Sequence, residues 1–307
     1  MLNDINEKVF VFHQPVLVDA VIFYLMNKQS NCNLPCLYID ATVGGGGHTQ
    51  AILEHLLNKK SIVIGLDCDQ DAINYTKNRL GKYSNLYLFR MSYTKIDEVV
   101  RKFPEYSVQG VLFDFGASYY QLTSSSRGFS YQQNGPLDMR FDQSLNLTAR
   151  DIIRRSSSKG LEKIFKEFGE ERFAHKIAQV VYQHRNKINT TYDLVEIMQE
   201  IVPAYKIRKT LARIFQALRI AVNQELENIQ QGLNCAIRIL TTGGRIVTIA
   251  YHSLEDRIVK NTFRSVAQNN SGIGLKVLTK KPVRPSPKEV KSNPAARSAR
   301  LRAAEKQ

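Results

Sequence analysis

The chain of 307 residues has few cysteines and no tryptophan. Four cysteines over this length are too few for a disulfide-stapled secreted scaffold, so reduced thiols are expected. Cys32 and Cys36 lie close together, but no second Cys or His pair at zinc spacing accompanies them, so no metal site is predicted. The first residues lack a basic segment followed by an apolar core, and no apolar run reaches about 18 residues. We therefore expect a cytoplasmic protein that does not span a membrane.

The chain also has fewer acidic than basic residues, with 28 Asp and Glu against 43 Lys and Arg, which gives a net charge of +15. This imbalance favours a polyanionic partner, with nucleic acid ahead of a membrane surface. From Lys276 onward the chain carries ten Lys or Arg against two Glu, and its four prolines prevent a single helix. We expect a basic C-terminal tail that contacts RNA phosphates or is simply solvated.

Four consecutive glycines stand in residues 39–48, Ile-Asp-Ala-Thr-Val-Gly-Gly-Gly-Gly-His. An apolar run before them predicts a strand, and the residues after them predict a helix, so the glycines form a loop that a ligand can approach closely. Asp40, Gly44 and Gly46 match the acid and two of the three glycines in the D-x-G-x-G-x-G pattern of S-adenosylmethionine (SAM) methyltransferases. The last glycine of the dinucleotide pattern is replaced by Thr49, so an NAD-type oxidoreductase is the weaker alternative. The third interpretation of this loop is a glycine-rich turn that binds no ligand.

Three predicted strands each end at a carboxylate, namely Asp40, Asp67 and Asp114. Ligands of open parallel sheets bind beyond the carboxyl ends of the strands. Three acids there would repel one another without a cationic or hydrogen-bond-donating ligand, and SAM offers an ammonium group and ribose hydroxyls. Asp67 lies about 20 residues beyond the glycines, where an acid accepts ribose hydroxyls, whereas Asp69 suits a helix cap. Tyr93 follows the third strand and is expected to stack on adenine or to pack on the sheet edge.

After the fourth strand, segments without strand-like runs interrupt the alternation of predicted strands and helices. Residues 147–198 predict helices, and the fifth strand is predicted within residues 243–251. We therefore predict an α/β fold with a Rossmann-like sheet and an inserted all-helical domain. The first part of the sheet domain covers 1–142, the helical substrate-binding domain covers 143–206, and the second part with its basic tail covers 207–307.

A long irregular segment interleaves aromatic and basic residues, among them Arg127, Phe129 and Arg140. This mixture suits base stacking combined with phosphate contact, or a cover folded over the sheet. His252 and Ser253 follow the fifth strand and are expected to face the same crevice as the acids.

Seven sequence blocks resemble the bacterial RsmH (MraW) family of small-subunit ribosomal RNA (cytosine-N4)-methyltransferases. They are His-Gln-Pro-Val-Leu at 13–17, the glycine loop at 40–48, Arg-Gly-Phe-Ser at 127–130, Gly-Pro-Leu-Asp-Met-Arg at 135–140, Phe-Gln-Ala-Leu-Arg-Ile at 215–220, His-Ser-Leu-Glu-Asp-Arg-Ile-Val-Lys at 252–260, and Asn-Pro with Arg-Ser within 293–298. The resemblance implies a class I SAM-dependent methyltransferase fold. It also implies methyl transfer from SAM to the exocyclic N4 of one cytidine in the decoding region of 16S ribosomal RNA.

The resemblance further implies which residues contact SAM. They are Gly46, Gly47, His48, Asp67, Tyr93, Asp114 and Gln121. The loop that carries Gln121 differs from the family pattern Asp-Leu-Gly-Val-Ser-Ser-Pro-Gln, because Asp-Phe-Gly-Ala-Ser-Tyr-Tyr-Gln stands here at 114–121. The family's usual His-Pro ahead of the Phe-Gln-Ala-Leu-Arg block is also replaced, by Lys209 and Thr210.

The sequence also suggests an acceptor for the target amine, RNA contacts and a partner. The Asp/Asn-Pro-Pro-Tyr motif of other amine methyltransferases is missing, so Asp114 and His252 are the candidate acceptors for the cytidine amine. Arg127, Phe129, Arg140 and Ser253 are the expected RNA contacts. The partner is small-subunit ribosomal RNA or the assembled subunit, and the oligomeric state stays open with a homodimer as one option. The alternative function is a non-catalytic RNA-binding or ribosome-assembly factor on the same fold.

Overall fold

The computed structural model of the chain describes residues 15–26, 35–58, 60–268 and 274–307. His13 and Cys32, which the sequence analysis considered, lie outside the described residues.

A seven-stranded sheet forms the centre of the protein. Its strands are β1 (Cys36–Asp40), β2 (Ile62–Asp67), β3 (Leu86–Arg90), β4 (Ser107–Asp114), β5 (Arg245–Ala250), β6 (Leu275–Val277) and β7 (Arg300–Lys306). They lie in the order β3-β2-β1-β4-β5-β7-β6; β1 to β5 are parallel, and β7 is antiparallel to both of its neighbours. The predicted α/β Rossmann-like sheet is confirmed, and its far edge is antiparallel.

Helices cover both faces of this sheet and also form an insertion after β4. They are α1 (Val18–Leu25), α2 (Gly47–His55), α3 (Gln70–Leu80), α4 (Ile96–Val100), α5 (Tyr119–Thr123), α6 (Ala149–Arg155), α7 (Ser158–Glu167), α8 (Ala174–His184), α9 (Thr191–Ile201), α10 (Ala204–Asn223), α11 (Glu225–Ile239), α12 (Ser253–Gln268) and α13 (Pro287–Ser292). One core packs the sheet against α4, α11 and α12, and another packs it against α1 and α2. None of the helices within the described ranges combines the length and apolar character that crossing a membrane requires.

The strand order places a ligand crevice at the middle of the sheet. The chain runs from β1 to β2 and β3 on one side, while β4 and β5 lie on the other side. The order thus reverses between β1 and β4, and open α/β sheets bind their ligands beyond the carboxyl ends of the strands at such a point.

The helical insertion has its own hydrophobic core, which extends further along the chain than the predicted segment 143–206. Buried side chains from Phe129 to Val222 form this core. Helix α10 runs without interruption across the predicted boundary between residues 206 and 207. The insertion also includes the end of the irregular segment, since Leu137 and Met139 are buried in the same core. We therefore propose that the helical unit comprises about residues 129–223.

Both ends of the basic C-terminal segment belong to the sheet as β6 and β7, so the expectation of a simply solvated tail is wrong, and its contact with RNA phosphates stays a prediction. Strand β7 lies between β5 and β6, and its Leu301 is fully buried. Arg302 is buried as well, because its guanidinium donates two hydrogen bonds to the carboxylate of Asp256 at 2.6 and 3.2 Å. The backbone of β7 finds its hydrogen-bond partners in the neighbouring strands, which a solvated tail would lack.

Candidate functional site

A cavity of about 590 Å³ lies beyond the carboxyl ends of β1, β2 and β4. This volume is typical of sites for small molecules. The lining side chains that carry chemistry are His48, Asp67, Tyr93, Asp114, Gln121, Glu225 and Tyr251. The cavity thus brings together every residue predicted to contact the cofactor except Gly46.

The glycine loop shapes one wall of the cavity. Gly44 and Gly46 both have left-handed backbone conformations, with φ of +49° and +73°. Gly46 is also the residue that caps the N-terminus of α2, and a Cβ there would lie 2.9 Å from the Cγ2 of Thr76. Gly47 lines the cavity, and a Cβ on it would meet the ring of Pro15 at 2.8 Å. The loop therefore needs glycine at 46 for close packing rather than for ligand contact.

A pair of glycine variants tests this distinction. We expect Gly46→Ala to lower the free energy of unfolding by about 2–4 kcal/mol, because backbone strain adds to a steric clash. Gly44→Ala should cost only about 1 kcal/mol from its φ angle, because no atom lies within 4 Å of its Cβ. Denaturant titration of both variants measures the two values, and equal losses would contradict the packing role of Gly46.

Asp40 lies away from the cavity and is fully buried, unlike the prediction that it faces the ligand. Its carboxylate accepts hydrogen bonds from the Thr49 hydroxyl at 2.6 Å and from the Thr42 backbone N–H at 3.2 Å. Burial raises the pKa of this carboxyl, although the nearby His48 and these hydrogen bonds oppose the shift. Asp40 therefore holds the two ends of the glycine loop together, and two of the three strand-end acids reach the cavity.

Asp67 and Asp69 have separate roles. Asp67 lines the cavity and accepts hydrogen bonds from the backbone N–H groups of Gly44 and Asp69, both at 2.9 Å. Burial raises the pKa of Asp67 to about 7, more than these two hydrogen bonds lower it. Asp69 caps α3 by accepting a hydrogen bond from the Asp71 N–H at 3.0 Å, as its position in the sequence predicts. Asp67 is thus the acid available to a ligand.

Tyr93 presents an aromatic ring to the cavity. The ring packs edge-to-face against Phe113 and Phe115, with centroid distances of 5.5 and 6.2 Å. Gly232 of α11 lies directly beside it, because a Cβ there would be 2.6 Å from the Tyr93 ring. Burial raises the pKa of the Tyr93 phenol well above its usual value, so the ring is neutral at physiological pH. A fixed aromatic wall of this kind suits a flat, uncharged base.

Asp114 lines the cavity and has three polar neighbours. The Nε2 of His48 donates a hydrogen bond to the Val16 carbonyl at 2.8 Å, so Nδ1 is the nitrogen that faces the Asp114 carboxylate, at 3.5 Å. The Asp114 N–H donates to the Thr42 hydroxyl at 2.7 Å. Burial and the Asp114 charge raise the pKa of the Tyr251 phenol well above its usual value. This arrangement gives a carboxylate of fixed orientation next to a nucleoside-sized space.

Gln121 and Arg127 fasten the irregular segment to Asp69. Gln121 lines the cavity, and its side-chain amide donates to the Asp69 carboxylate at 2.7 Å. Arg127 is only 2% exposed and forms ion pairs with Asp69 at 2.8 Å and with Asp71 at 3.3 Å. It also donates to the carbonyl oxygens of Arg140 and Phe141, both at 3.0 Å. Arg127 is therefore bound to protein groups and is not presented to RNA.

Phe129 and Arg140 are likewise engaged within the protein. Phe129 is buried in the core of the helical insertion and stacks on Phe141 at a centroid distance of 5.4 Å. Arg140 pairs with the carboxylate of Asp138 through Nε at 2.9 Å and a terminal nitrogen at 2.7 Å. The aromatic and basic residues that predicted RNA contacts here hold the segment together and pack Phe129 into the helical insertion. We therefore no longer assign Phe129 and Arg140 to RNA contact.

Arg127→Ala is expected to lower the free energy of unfolding by about 3–5 kcal/mol, because it leaves a buried carboxylate without its cation. Differential scanning calorimetry of the purified variant measures the loss. Arg154→Ala is a suitable control, since Arg154 is exposed and hydrogen bonds to Asn189 in the same insertion. Unchanged stability of Arg127→Ala with weakened RNA binding would instead restore the predicted role in RNA contact.

His252 and Ser253 do not line the cavity. The Nε2 of His252 lies 3.0 Å from Oε1 of the buried Glu255, which also accepts the Tyr251 N–H at 2.7 Å. The Ser253 hydroxyl donates to Glu170 of the helical insertion at 2.8 Å. These contacts favour structural roles at the end of β5 and leave Asp114 as the better placed acceptor.

Glu225 is a buried acid on the cavity wall that was not predicted from the sequence. The Arg219 guanidinium donates to both of its carboxylate oxygens, at 2.9 and 3.1 Å. Glu225, His252 and Glu255 bring three ligand atoms within 4.8 Å of one another, the arrangement of a metal site. Arg219 already supplies a cation to this cluster, so the donor set fits an internal charge network better than a metal ion. The left-handed Gln224 that separates α10 from α11 and creates this corner has no clear sequence signal.

Comparison with known proteins adds to this geometry. Residues 10–307 match the model of a family described as the MraW methylase family. A protein of Halothermothrix orenii named ribosomal RNA small subunit methyltransferase H is 43% identical, over 96% of this chain and 98% of its own length. A protein of the same name from Thermotoga neapolitana is 43% identical over 96% of both chains.

Solved structures align more loosely. An rRNA methylase from Streptococcus thermophilus aligns with a TM-score of 0.41 and 12% identity, covering 89% of this chain and 87% of its own. A methyltransferase from Streptococcus mutans in complex with SAH aligns with a TM-score of 0.43 and 13% identity, covering 94% and 95%.

Proposed function

The chain belongs to the MraW methylase family, and from this premise we propose that it methylates N4 of one cytidine in the decoding region of 16S ribosomal RNA. Its fold is that of class I SAM-dependent methyltransferases, and SAM is its methyl donor. The observation that carries the proposal is the single cavity in which Asp67, Tyr93 and Asp114 meet.

The residues of the cavity fit SAM. Asp67 suits the ribose hydroxyls, because a carboxylate at the end of β2 accepts hydrogen bonds from a nucleoside in folds of this type. Tyr93 offers its ring to the adenine, and the glycine loop allows close approach of the backbone. When bound, SAM supplies an electrophilic methyl group.

The RNA substrate is supported by the relatives and by charge. Proteins about 40–43% identical to this chain are named ribosomal RNA small subunit methyltransferase H. The net charge of +15 favours association with a polyanion. We propose that the chain acts in the cytoplasm on the small subunit RNA, either free or within the assembled subunit.

Asp114 is the residue we assign to the target amine. The N4 lone pair of cytosine is delocalised into the ring, so the amine needs orientation and stabilisation of the positive charge that develops on it. A carboxylate that accepts an N4–H hydrogen bond supplies both, and the Asp114 carboxylate lines the cavity between the His48 ring and the Tyr251 hydroxyl. The cytidine must leave its stack to arrive there, at a cost of a few kcal/mol. RNA contacts outside the cavity therefore have to offset that cost.

A deletion strain of the source organism tests the proposal. Nucleoside mass spectrometry of its 16S ribosomal RNA should show loss of one N4-methylated cytidine. Expression of the wild-type chain should restore the modification, and expression of the Asp114→Ala chain, the matched control, should not. An unchanged modification pattern together with a ribosome-assembly defect would support the non-catalytic assembly factor instead.

A further inference from the structure

An exposed group of aromatic and basic side chains, here called the α8–α10 patch, lies on the helical insertion. Phe173 immediately precedes α8 and is 48% exposed, and Tyr205 in the first turn of α10 is 80% exposed. The Lys206 ammonium lies 5.0 Å from the Phe173 ring centroid and 5.2 Å from that of Tyr205. The two rings and the lysine thus form one continuous surface.

Four further cations are next to the rings in sequence or one helical turn from them. Arg172, Lys176, Arg208 and Lys209 are all exposed. Within the residues that the structure describes, none of them forms an ion pair with a carboxylate, although ion pairs are found elsewhere on the insertion, such as His175 with Glu162. Unpaired cations grouped around exposed aromatic rings indicate a surface for an anionic partner with flat groups.

We propose that the α8–α10 patch binds an unpaired stretch of the substrate RNA, several nucleotides away from the cytidine in the cavity. This inference rests on the proposed RNA substrate. Exposed rings can stack on free bases, whereas bases in a duplex are already stacked, so the aromatic content favours single-stranded RNA. The surrounding lysines and arginines match the phosphates of the same strand.

Helix α10 connects the patch to the cavity. Tyr205 and Lys206 lie in its first turn, and Asn223 at its last residue lines the cavity. At 1.5 Å per residue the helix separates the two sites by about 25 Å, which several nucleotides can span. The insertion is also fastened to the sheet domain, because Glu170 accepts hydrogen bonds from Ser253 at 2.8 Å and Arg257 at 3.0 Å. The RNA bound at the patch therefore has a defined distance to the reacting base.

Binding measurements test the patch without methyl transfer. Fluorescence anisotropy with a labelled, unstructured RNA of about 16 nucleotides gives the affinity of the wild-type protein and of a Phe173→Ala/Tyr205→Ala variant. We expect the double variant to bind this RNA at least about tenfold more weakly, with little change for a blunt-ended RNA duplex. Lys209→Gln should lower the slope of log affinity against log salt by about 0.7. Tyr205→Trp should retain binding, since it keeps an aromatic face.

Two control variants test whether the loss of affinity is specific to the α8–α10 patch. Tyr87→Ala removes a 40% exposed ring on β3, and Lys102→Gln removes a lysine that lies 5.2 Å from the Phe89 ring centroid. Neither should alter RNA affinity. Equal affinities of wild type and the double variant for the unstructured RNA would overturn the proposal. A loss of affinity confined to the RNA duplex would overturn it as well. Because no methylation is measured, the patch can fail while the proposed activity holds, and the reverse.

Discussion

Asp114→Ala is expected to lower the single-turnover rate of RNA methylation by about 100-fold or more when SAM and RNA are both saturating. The side chain lines the cavity, where one carboxylate oxygen is 3.5 Å from His48 Nδ1 and the Tyr251 hydroxyl is hydrogen-bonded to the carboxylate. Removing it takes away the acceptor that orients the target amine and stabilises its developing charge. Rapid-quench kinetics with methyl-labelled SAM measures the rate.

Two companion variants make this result specific. Asp114→Asn keeps one acceptor oxygen and should retain more of the rate than Asp114→Ala. His252→Ala should retain the wild-type rate per folded molecule, because His252 contacts Glu255 and does not line the cavity. If raising the SAM concentration restored the rate of Asp114→Ala, Asp114 would serve cofactor binding alone. If His252→Ala abolished the rate, the proton acceptor would be His252.

Asp67→Asn is expected to weaken SAM binding by about 10- to 100-fold, the usual cost of losing a hydrogen bond to a charged group. Isothermal calorimetry measures the affinity. The pKa of about 7 for Asp67 adds a pH dependence to this result. Ribose hydroxyls bind the ionised carboxylate better, so wild-type affinity should rise as pH increases through 7. The asparagine variant should lose that rise, and a parallel pH profile in both proteins would contradict the assignment of Asp67.

The same substitution should change how the stability of the ligand-free protein depends on pH. The folded pKa of Asp67 is raised from 3.8 to about 7, so the folded state binds more protons than the unfolded state between these values. The contribution of Asp67 to stability is thus present below about pH 4 and is lost as pH rises through 7. Thermal unfolding should therefore show the Tm of Asp67→Asn rising relative to that of wild type between pH 4 and pH 8, and a difference in Tm that does not change with pH would contradict the raised pKa of Asp67.

The sequence predicted the elements that build the cavity because their signals are local. Apolar runs that end in an acid predicted β1, β2 and β4, and the spacing from the glycines to Asp67 identified the acid that lines the cavity. The capping role of Asp69 was also visible, since an acid at the start of a helical pattern has a known geometry.

Predictions that depended on which way a side chain points were less successful. Asp40 ends a strand like Asp67, yet Thr49 in the following helix binds its carboxylate and turns it away from the cavity. Arg127 and Phe129 have the composition of an RNA contact, but Asp69, distant in sequence, pairs with Arg127, and the core of the helical insertion buries Phe129. Sequence composition alone does not distinguish a buried ion pair from an exposed cation.

The C-terminal strands were likewise not predicted from the sequence. Strand β7 contains Arg302 at a buried position, and its charge breaks the apolar alternation that would predict a strand. The charge is tolerated because Asp256 at the start of α12 neutralises it. The pairing of β7 with β5 spans more than 50 residues of sequence, which no local pattern can indicate.

The most direct test of the central claim is to identify the nucleoside that the purified protein labels. The protein is incubated with methyl-labelled SAM and with small-subunit ribosomal RNA or small subunits from the deletion strain, and the RNA is digested for mass spectrometry. We predict a single labelled product, N4-methylcytidine, which is absent with Asp114→Ala. Label on another nucleoside, or no label while SAM binds normally, would contradict the account.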